Sequence, residues 1–197
     1  MNTSNLYPNS YYPKIYWTTA KGIITFKDKC EQEWVKNIKD NYRLDIACDL
    51  TFKQRKEVVV DGHLEIHKLN DAFALQNLRH FLHRLNQRVF KNAYRRYGKR
   101  LDVITSIEGG RDVLRQGVAR DKLLHAHLSL QQPNHLNTED FVKIVNELWV
   151  KSPWGFSQTK VENIRRPTGR AFYQIKNTLD AIVPDLTTHE KDKRNTA

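Results

Sequence analysis

The sequence is poor in cysteine and contains no long apolar run. Cys30 and Cys48 are the only cysteines among 197 residues, and neither belongs to a CxxC pair. This argues against a disulfide framework and against a cysteine-based zinc site, and it is typical of a reducing compartment. No apolar stretch approaches the ~20 residues that a membrane-spanning helix needs.

The first ten residues also lack a targeting pattern. They are polar and show no charged segment followed by an apolar one, as a secretory signal would. We therefore expect no membrane association and a cytoplasmic protein, or a nuclear one if the host is eukaryotic.

The charge balance is strongly basic. The chain has 33 Lys and Arg against 22 Asp and Glu, for a net charge of +11. Such a field attracts polyanions, because each phosphate that is neutralised releases counterions. This favours DNA or RNA as a partner, although a soluble basic protein without such a partner remains an alternative.

Patterning divides the chain into three parts. A hydrophobic content of 39% and four Trp residues predict a packed core. We expect an N-terminal arm and extension over 1–43, the main domain over 44–183 and a charged tail over 184–197. Within the extension, 14–26 favours a strand or hairpin, and Asp28 with Glu31 resembles a capping box that opens a short helix.

The main domain alternates between strand and helix patterns. Residues 44–52 alternate apolar and polar, and Asn70 or Asp71 can cap a long amphipathic helix that ends at Gly98. The further elements predicted are strands at 101–108, 122–130 and 156–164, a helix from Asn137 or Thr138, and a last helix over about 168–182. This order predicts an α+β, ferredoxin-like antiparallel sheet with crossover helices and an added C-terminal helix.

The strand at 122–130 carries two histidines on one face. Because successive side chains point to opposite faces, His125, His127 and Ser129 share the face that the leucines avoid. Two imidazoles spaced in this way can bind one metal ion. Taken alone, they are better explained as two surface histidines on a sheet, because an HxH motif often arises by chance in a chain with eight histidines.

Glu108 ends the preceding strand, just before Gly109 and Gly110. If these two strands form a hairpin, its carboxylate can reach the ion that His125 and His127 would bind. Mixed nitrogen and oxygen ligands suit Mn²⁺ or Mg²⁺, and ligand type alone leaves Zn²⁺ open. The competing explanation is a carboxylate paired with Arg111 or Lys122.

The last predicted helix supplies a reactive group. Tyr173 and Lys176 are one turn apart, beside an apolar stripe, so both can approach one point. A phenol has a pKa near 10 and is a weak nucleophile unless a cation assists it. The alternative is a half-buried Tyr on an amphipathic helix.

The order of these motifs resembles that of the HUH endonucleases, specifically the single-tyrosine Rep proteins of rolling-circle replication. The resemblance covers about 44–182 and implies a nuclease that cuts single-stranded DNA at an origin or an element end, including hairpin forms. It implies that Glu108, His125 and His127 hold Mn²⁺ or Mg²⁺ and that no small-molecule cofactor takes part. Tyr173 would become joined to the 5′-phosphate, and Lys176 would position or neutralise the scissile phosphate.

The resemblance has two departures. The first motif of the family is matched by Asp49-Leu50-Thr51-Phe52, with Asp49 where the family usually has an apolar residue. No GxxxxGK[ST] loop is present, so any helicase would be supplied by a separate protein. Related transposases and replitron-like elements use similar domains, and the sequence does not separate them from plasmid or phage initiators.

Basic residues near these motifs are candidate DNA contacts. They are Lys160, Arg165, Arg166 and Arg170 around the fourth strand, and Lys53 and Arg55 after the first. They can grip phosphates, although an ordinary solvated basic rim is an equally good explanation for each.

Together these patterns predict a metal-dependent, site-specific nickase and strand transferase. The rival from another class is a non-catalytic ferredoxin-like module that binds single-stranded nucleic acid by stacking. A rival among enzymes is a metal-dependent phosphodiesterase that uses water and never becomes linked to its substrate.

Overall fold

The structure is a computed structural model that describes residues 16–19, 22–110, 122–174 and 182–188. The predicted arm over 1–13 and most of the predicted tail lie outside these residues. Strands and helices are numbered in chain order. The strands are β1 (Tyr16–Thr19), β2 (Gly22–Thr25), β3 (Ile46–Phe52), β4 (Arg55–Val60), β5 (His63–Lys68), β6 (Val103–Gly110), β7 (Lys122–Leu130) and β8 (Gly155–Asn163). The helices are α1 (Phe26–Asn41), α2 (Asp71–Phe90), α3 (Asn92–Tyr97), α4 (Thr138–Val150) and α5 (Pro167–Gln174).

The central sheet has four antiparallel strands in the order β6–β7–β3–β8. The β4–β5 hairpin, α2 and α3 lie between β3 and β6 in the chain, β6 and β7 are adjacent antiparallel strands, and α4 connects β7 to β8. The fold is therefore α+β and compatible with the ferredoxin-like layout, which confirms the predicted fold class.

The main core lies between the sheet and the α2–α4 pair. The alternate residues Leu124, Ala126, Leu128 and Leu130 of β7 all face it and are buried, as their period of two predicts. Trp149 of α4 fills its centre with edge-on ring contacts to Phe52 and Phe81. We call this side of the sheet the α2–α4 side.

The opposite side of the sheet is called the histidine side, after His125 and His127. A smaller apolar cluster of Val35, Ile38, Ile104 and Ala171 packs α1 and α5 against it. These helices therefore cover part of the sheet beside the two histidines.

Helix boundaries follow the predicted caps with two corrections. Asn70 and Asn137 each accept a hydrogen bond from the backbone N–H three residues later, at 2.9 and 2.8 Å. The predicted single helix up to Gly98 is wrong, because the chain breaks at Lys91 (φ 48°) and resumes as α3, which Gly98 (φ 60°) ends. Asp28 lies inside α1 and is not its cap.

The C-terminal end of the described chain returns to the sheet. Ile182 forms an antiparallel bridge with Ser106, so the predicted helix does not extend to Ile182. Leu186, placed in the predicted tail, is buried in the main core, and Thr188 pairs with Val103. These contacts place a short segment along β6 that contains one 3₁₀ turn at Pro184–Leu186.

The β4–β5 hairpin was not predicted. Its turn at Asp61 and Gly62 has two positive φ angles, as a tight two-residue hairpin turn requires. It carries four exposed apolar side chains, Val59, Val60, Leu64 and Ile66. Among the described residues, none of the helices combines the length and the apolar character that crossing a bilayer needs.

Candidate active site

Strand register brings the predicted site residues together on the histidine side. His125 lies opposite Glu108 of β6 and opposite Thr51 of β3. Two residues further along β7, His127 lies opposite Asp49 of β3. The predicted hairpin of the two strands is confirmed, and with it the approach of Glu108 to His125.

Each histidine is oriented by a hydrogen bond at Nδ1. His127 Nδ1 lies 2.6 Å from Asp49 Oδ1, and His125 Nδ1 lies 2.9 Å from the carbonyl oxygen of Leu123. Because a carboxylate and a carbonyl only accept, each Nδ1 carries a proton, and in the neutral imidazole the lone pair is then on Nε2. Both rings therefore present an acceptor to the same region.

The two Nε2 atoms converge on Glu108. Its Oε2 lies 3.5 Å from His125 Nε2 and 3.6 Å from His127 Nε2, and the three ligand atoms lie within 4.8 Å of one another. Neighbouring ligand atoms about 2.1 Å from one ion are roughly 3.0 Å apart in octahedral geometry and roughly 3.4 Å apart in tetrahedral geometry. These three residues are called the triad below.

The triad fits a divalent cation. His127 is 3% exposed at its side chain, and its Nε2 has no hydrogen-bond partner within the described part of the chain. A buried acceptor of this kind, beside a second imidazole and a carboxylate, is stabilised by a shared cation. The three residues leave further coordination positions of such an ion open.

Asp49 links this site to its surroundings. Its Oδ1 accepts from His127 Nδ1 and, at 2.8 Å, from Arg170 Nη2. Burial raises the pKa of Asp49, but the bonds from His127 and Arg170 outweigh it and lower the pKa to about 2. The carboxylate therefore stays charged at neutral pH and makes the His127 ring a better metal ligand.

Helix α5 carries Tyr173 to the edge of the triad. The Tyr173 and His127 ring centroids are 5.0 Å apart with nearly perpendicular planes, and Tyr173 is 41% exposed. Gln174, which is buried, attaches this part of α5 to the sheet. It accepts from Ser129 Oγ at 2.8 Å and donates to the carbonyl oxygens of Ile104 and His127 at 3.2 Å.

Arg170 lies one turn before Tyr173, and its guanidinium points into the sheet. It bonds to Asp49 and to the carbonyl oxygens of Cys48 and Leu128, and it lies 5.3 Å from the Tyr173 ring centroid. Arg170, which was predicted as a DNA contact, thus donates its hydrogen bonds to acceptors of the protein itself. Burial raises the pKa of the neighbouring Cys48 thiol, which faces the core and stays neutral.

The other predicted DNA contacts are exposed. Arg165 and Arg166 lie at the turn into α5, Lys53 directly follows β3, and Arg55 is the first residue of β4. Lys160 forms an ion pair with Glu162 at 2.8 Å, and this bond raises the pKa of Lys160.

Two predicted participants are outside the described residues. Lys176, the expected phosphate ligand, is one, and Arg111, a competing partner of Glu108, is the other. Both assignments therefore stay predictions.

Sequence reasoning missed Gln174 and the inward orientation of Arg170. Gln174 follows Tyr173 directly but has no pattern of its own, since a polar residue on a helix is usually solvated. A signal for Arg170 was available in its spacing of three from Tyr173, which places the two on one helix face. Its partner Asp49 lies 121 positions earlier.

Comparisons with protein-family models, with curated proteins and with solved structures found no match to this chain. Its site is therefore interpreted from its own residues.

Proposed function

We propose that the chain is a metal-dependent nicking and joining enzyme that acts on single-stranded DNA. The observation that carries this proposal is the meeting of three metal-ligand atoms with an exposed phenol, drawn from β6, β7 and α5. A structural cluster has no need of a partly exposed Tyr ring 5.0 Å from a buried histidine ring. The motif order that resembles the single-tyrosine Rep proteins supports DNA as the substrate.

Tyr173 is the nucleophile in this proposal. Its Oη attacks the scissile phosphorus, an O–P bond forms, and the bond from phosphorus to the 3′-oxygen breaks. The phenolic proton leaves to solvent and the departing 3′-oxygen takes up a proton, so the products are a 5′-phosphotyrosine and a free 3′-hydroxyl. Attack by a 3′-hydroxyl on the same phosphorus reverses the step and joins strands.

Glu108, His125 and His127 would hold Mn²⁺ or Mg²⁺ beside the phosphate. When bound, the ion polarises a phosphate oxygen and stabilises the charge that develops there. Asp49 fixes the tautomer of His127, and Gln174 fixes α5 relative to the sheet. Hydrogen bonds to the sheet therefore hold His127 and Tyr173 in the positions that the proposed reaction needs.

Adduct formation tests the proposal. The protein is incubated with pooled, end-labelled single-stranded oligonucleotides and Mn²⁺, and a slower, protease-sensitive band is sought on a denaturing gel. The band is expected with wild type and with Tyr97→Phe, which removes the hydroxyl of an exposed tyrosine on α3. It is expected to vanish with Tyr173→Phe and with EDTA.

Two results would contradict it. Cleavage that persists in Tyr173→Phe would identify a metal-activated water as the nucleophile. Binding that is equal in EDTA, with neither cleavage nor adduct, would identify a binding module.

A further inference from the structure

The segment between Asp71 and Asp102 contains no acidic residue. It carries eight Lys and Arg, against a net charge of +11 for the whole chain. The segment forms α2, α3 and the approach to β6, and α2 packs on the α2–α4 side of the sheet. This concentration of charge therefore lies across the sheet from the triad.

Two of these eight cations are engaged by protein acceptors. Arg79 pairs with Asp185 at 3.2 Å, and Arg84 donates to the carbonyl oxygens of His80 and Leu148. The remaining six are exposed and form no ion pair within the ranges that the structure describes. They are called the basic ridge and comprise Arg88, Lys91, Arg95, Arg96, Lys99 and Arg100.

The ridge is held in a defined shape. Tyr94 Oη of α3 lies 2.8 Å from His83 Nδ1 of α2, so the short helix is bonded to the long one. The Arg100 guanidinium lies 5.8 Å from the Tyr94 ring centroid, and Lys99 Nζ lies 5.3 Å from that of Phe90. Like charges are thus kept close together, and no acidic residue in the described part of the chain forms an ion pair with them.

The chemistry of the ridge matches a phosphate backbone. Four of its six members are Arg, whose planar guanidinium binds phosphate oxygens in pairs. Duplex DNA carries one negative charge per ~1.7 Å of its axis, so one duplex can neutralise all six. A single phosphate or nucleotide cannot.

Other polyanions fit less well. Single strands are usually held by aromatic side chains that stack on bases, and an anionic membrane by apolar side chains that insert. Among the described residues of α2 and α3, Tyr97 is the one large apolar side chain with high exposure. The ridge therefore offers six charges beside one exposed aromatic ring, which is little surface for stacking or insertion.

We propose that the basic ridge binds the phosphate backbone of double-stranded DNA, independently of sequence and of the triad. The choice of DNA over RNA rests on the proposed function; the polyanion surface itself does not. The enzyme would hold a duplex on one side of its sheet and cut a single strand on the other.

Charge neutralisation tests the ridge. The variant Arg88→Gln, Lys91→Gln, Arg95→Gln, Arg96→Gln removes four ridge charges. The matched control is Lys36→Gln, Lys39→Gln, Lys143→Gln, Lys151→Gln, which removes four exposed charges from α1, α4 and the residue that follows α4. Binding of a labelled 30-bp duplex is followed by fluorescence anisotropy in EDTA, from about 50 to 200 mM salt, where counterion release is readily measured.

We expect the ridge variant to bind about 30-fold or more weakly at the lowest salt, with its salt slope reduced by about 3 to 4. The control should stay within about threefold of wild type. Equal losses in the two variants would overturn the proposal, since net charge alone would then explain binding. Binding to phosphatidylserine vesicles but not to duplex would overturn it in favour of a membrane surface, and clear preference for duplex RNA would overturn the choice of DNA.

The two proposals fail separately. Tyr173→Phe should bind the duplex like wild type, because its hydroxyl lies across the sheet from the ridge. If no adduct forms with any oligonucleotide but the ridge variant still loses the duplex, the proposed nickase is wrong and the ridge stands. If adducts form and the ridge variant binds normally, the ridge proposal alone is wrong.

Discussion

On the histidine side of the sheet, Arg170 and Lys160 bond to the protein's own acceptors, whereas on the α2–α4 side the six cations of the basic ridge form no ion pair with any residue that the structure describes. Arg170 bonds to Asp49 and Lys160 to Glu162. A cation that is already paired orients its neighbours, while an unpaired one attracts a distant polyanion. Proximity to a site is therefore a poor guide to which cations contact a ligand.

The two sides also differ in what burial does. On the histidine side, buried polar groups such as His127, Ser129 and Gln174 bond to one another and fix positions. Under the ridge, six of the eight buried residues of α2 are apolar, and the two polar ones are Asn77 and Asn86. Substitutions on the histidine side should thus alter metal binding and adduct formation, and substitutions in the ridge should alter the affinity for duplex DNA.

Replacing Glu108 with Gln should give the largest effect and should leave the ridge untouched. Gln keeps the size but loses the charge, so we expect Mn²⁺ affinity to fall at least about 100-fold and adduct formation to fall below detection. Calorimetric titration with Mn²⁺ and the adduct gel measure the two losses. A parallel loss of duplex binding would break the proposed separation of the two sides.

Asp49→Asn tests the residue that orients His127. Asn still accepts a hydrogen bond but has no charge, so Mn²⁺ affinity should fall about 10- to 100-fold. Asp45→Asn is the matched control, because the Asp45 carboxylate accepts from the Gln132 backbone and contacts no histidine. Equal losses in the two variants would mean that Asp49 has no special role in the site.

Arg170→Gln separates positioning from DNA contact. If the guanidinium positions α5, the single-turnover rate at saturating oligonucleotide should fall about 10-fold while affinity is kept, because Tyr173 is misplaced. Arg165→Gln, at an exposed position, should weaken the affinity for the oligonucleotide and leave the single-turnover rate at saturation unchanged. A weaker affinity with an unchanged saturated rate in Arg170→Gln would restore it as a DNA contact.

The smallest expected effect is on the stability of the ridge variant. Its four side chains are exposed and unpaired in the described structure, so the free energy of unfolding should stay within about 0.5 kcal/mol of wild type. Urea denaturation measures it. A loss above about 1 kcal/mol would show that these cations support the fold. Weaker duplex binding by the variant would then not be evidence that the ridge contacts phosphates.

Local patterns predicted much of this architecture because they follow from covalent geometry. Alternation along 122–130 places His125 and His127 on one side of a strand whatever the strand packs against. Asn70 and Asn137 begin helices because their side chains satisfy a free N–H in the first turn. Glu108 was predicted as a ligand because the pairing of two neighbouring strands restricts which residues can lie opposite His125.

Features that depend on distant partners escaped prediction. Residues 72–97 contain no glycine or proline that would predict the break in the helix at Lys91. The structure shows that Tyr94 of α3 bonds to His83 of α2 after this break. The β4–β5 hairpin had a local signal in Asp61-Gly62 that was overlooked. Gln174 bonds to strands 45 and 70 positions away, and no local pattern announces such a bond.

The sequence by itself determined which side chains share a strand face, where α2 and α4 begin and how much positive charge the chain carries. These depend on neighbours a few residues apart. Only the tertiary structure decided that Asp49 orients His127, that Arg170 points inward and that the unpaired cations lie across the sheet from the triad. Those depend on which distant groups meet, and strand order and helix packing set that.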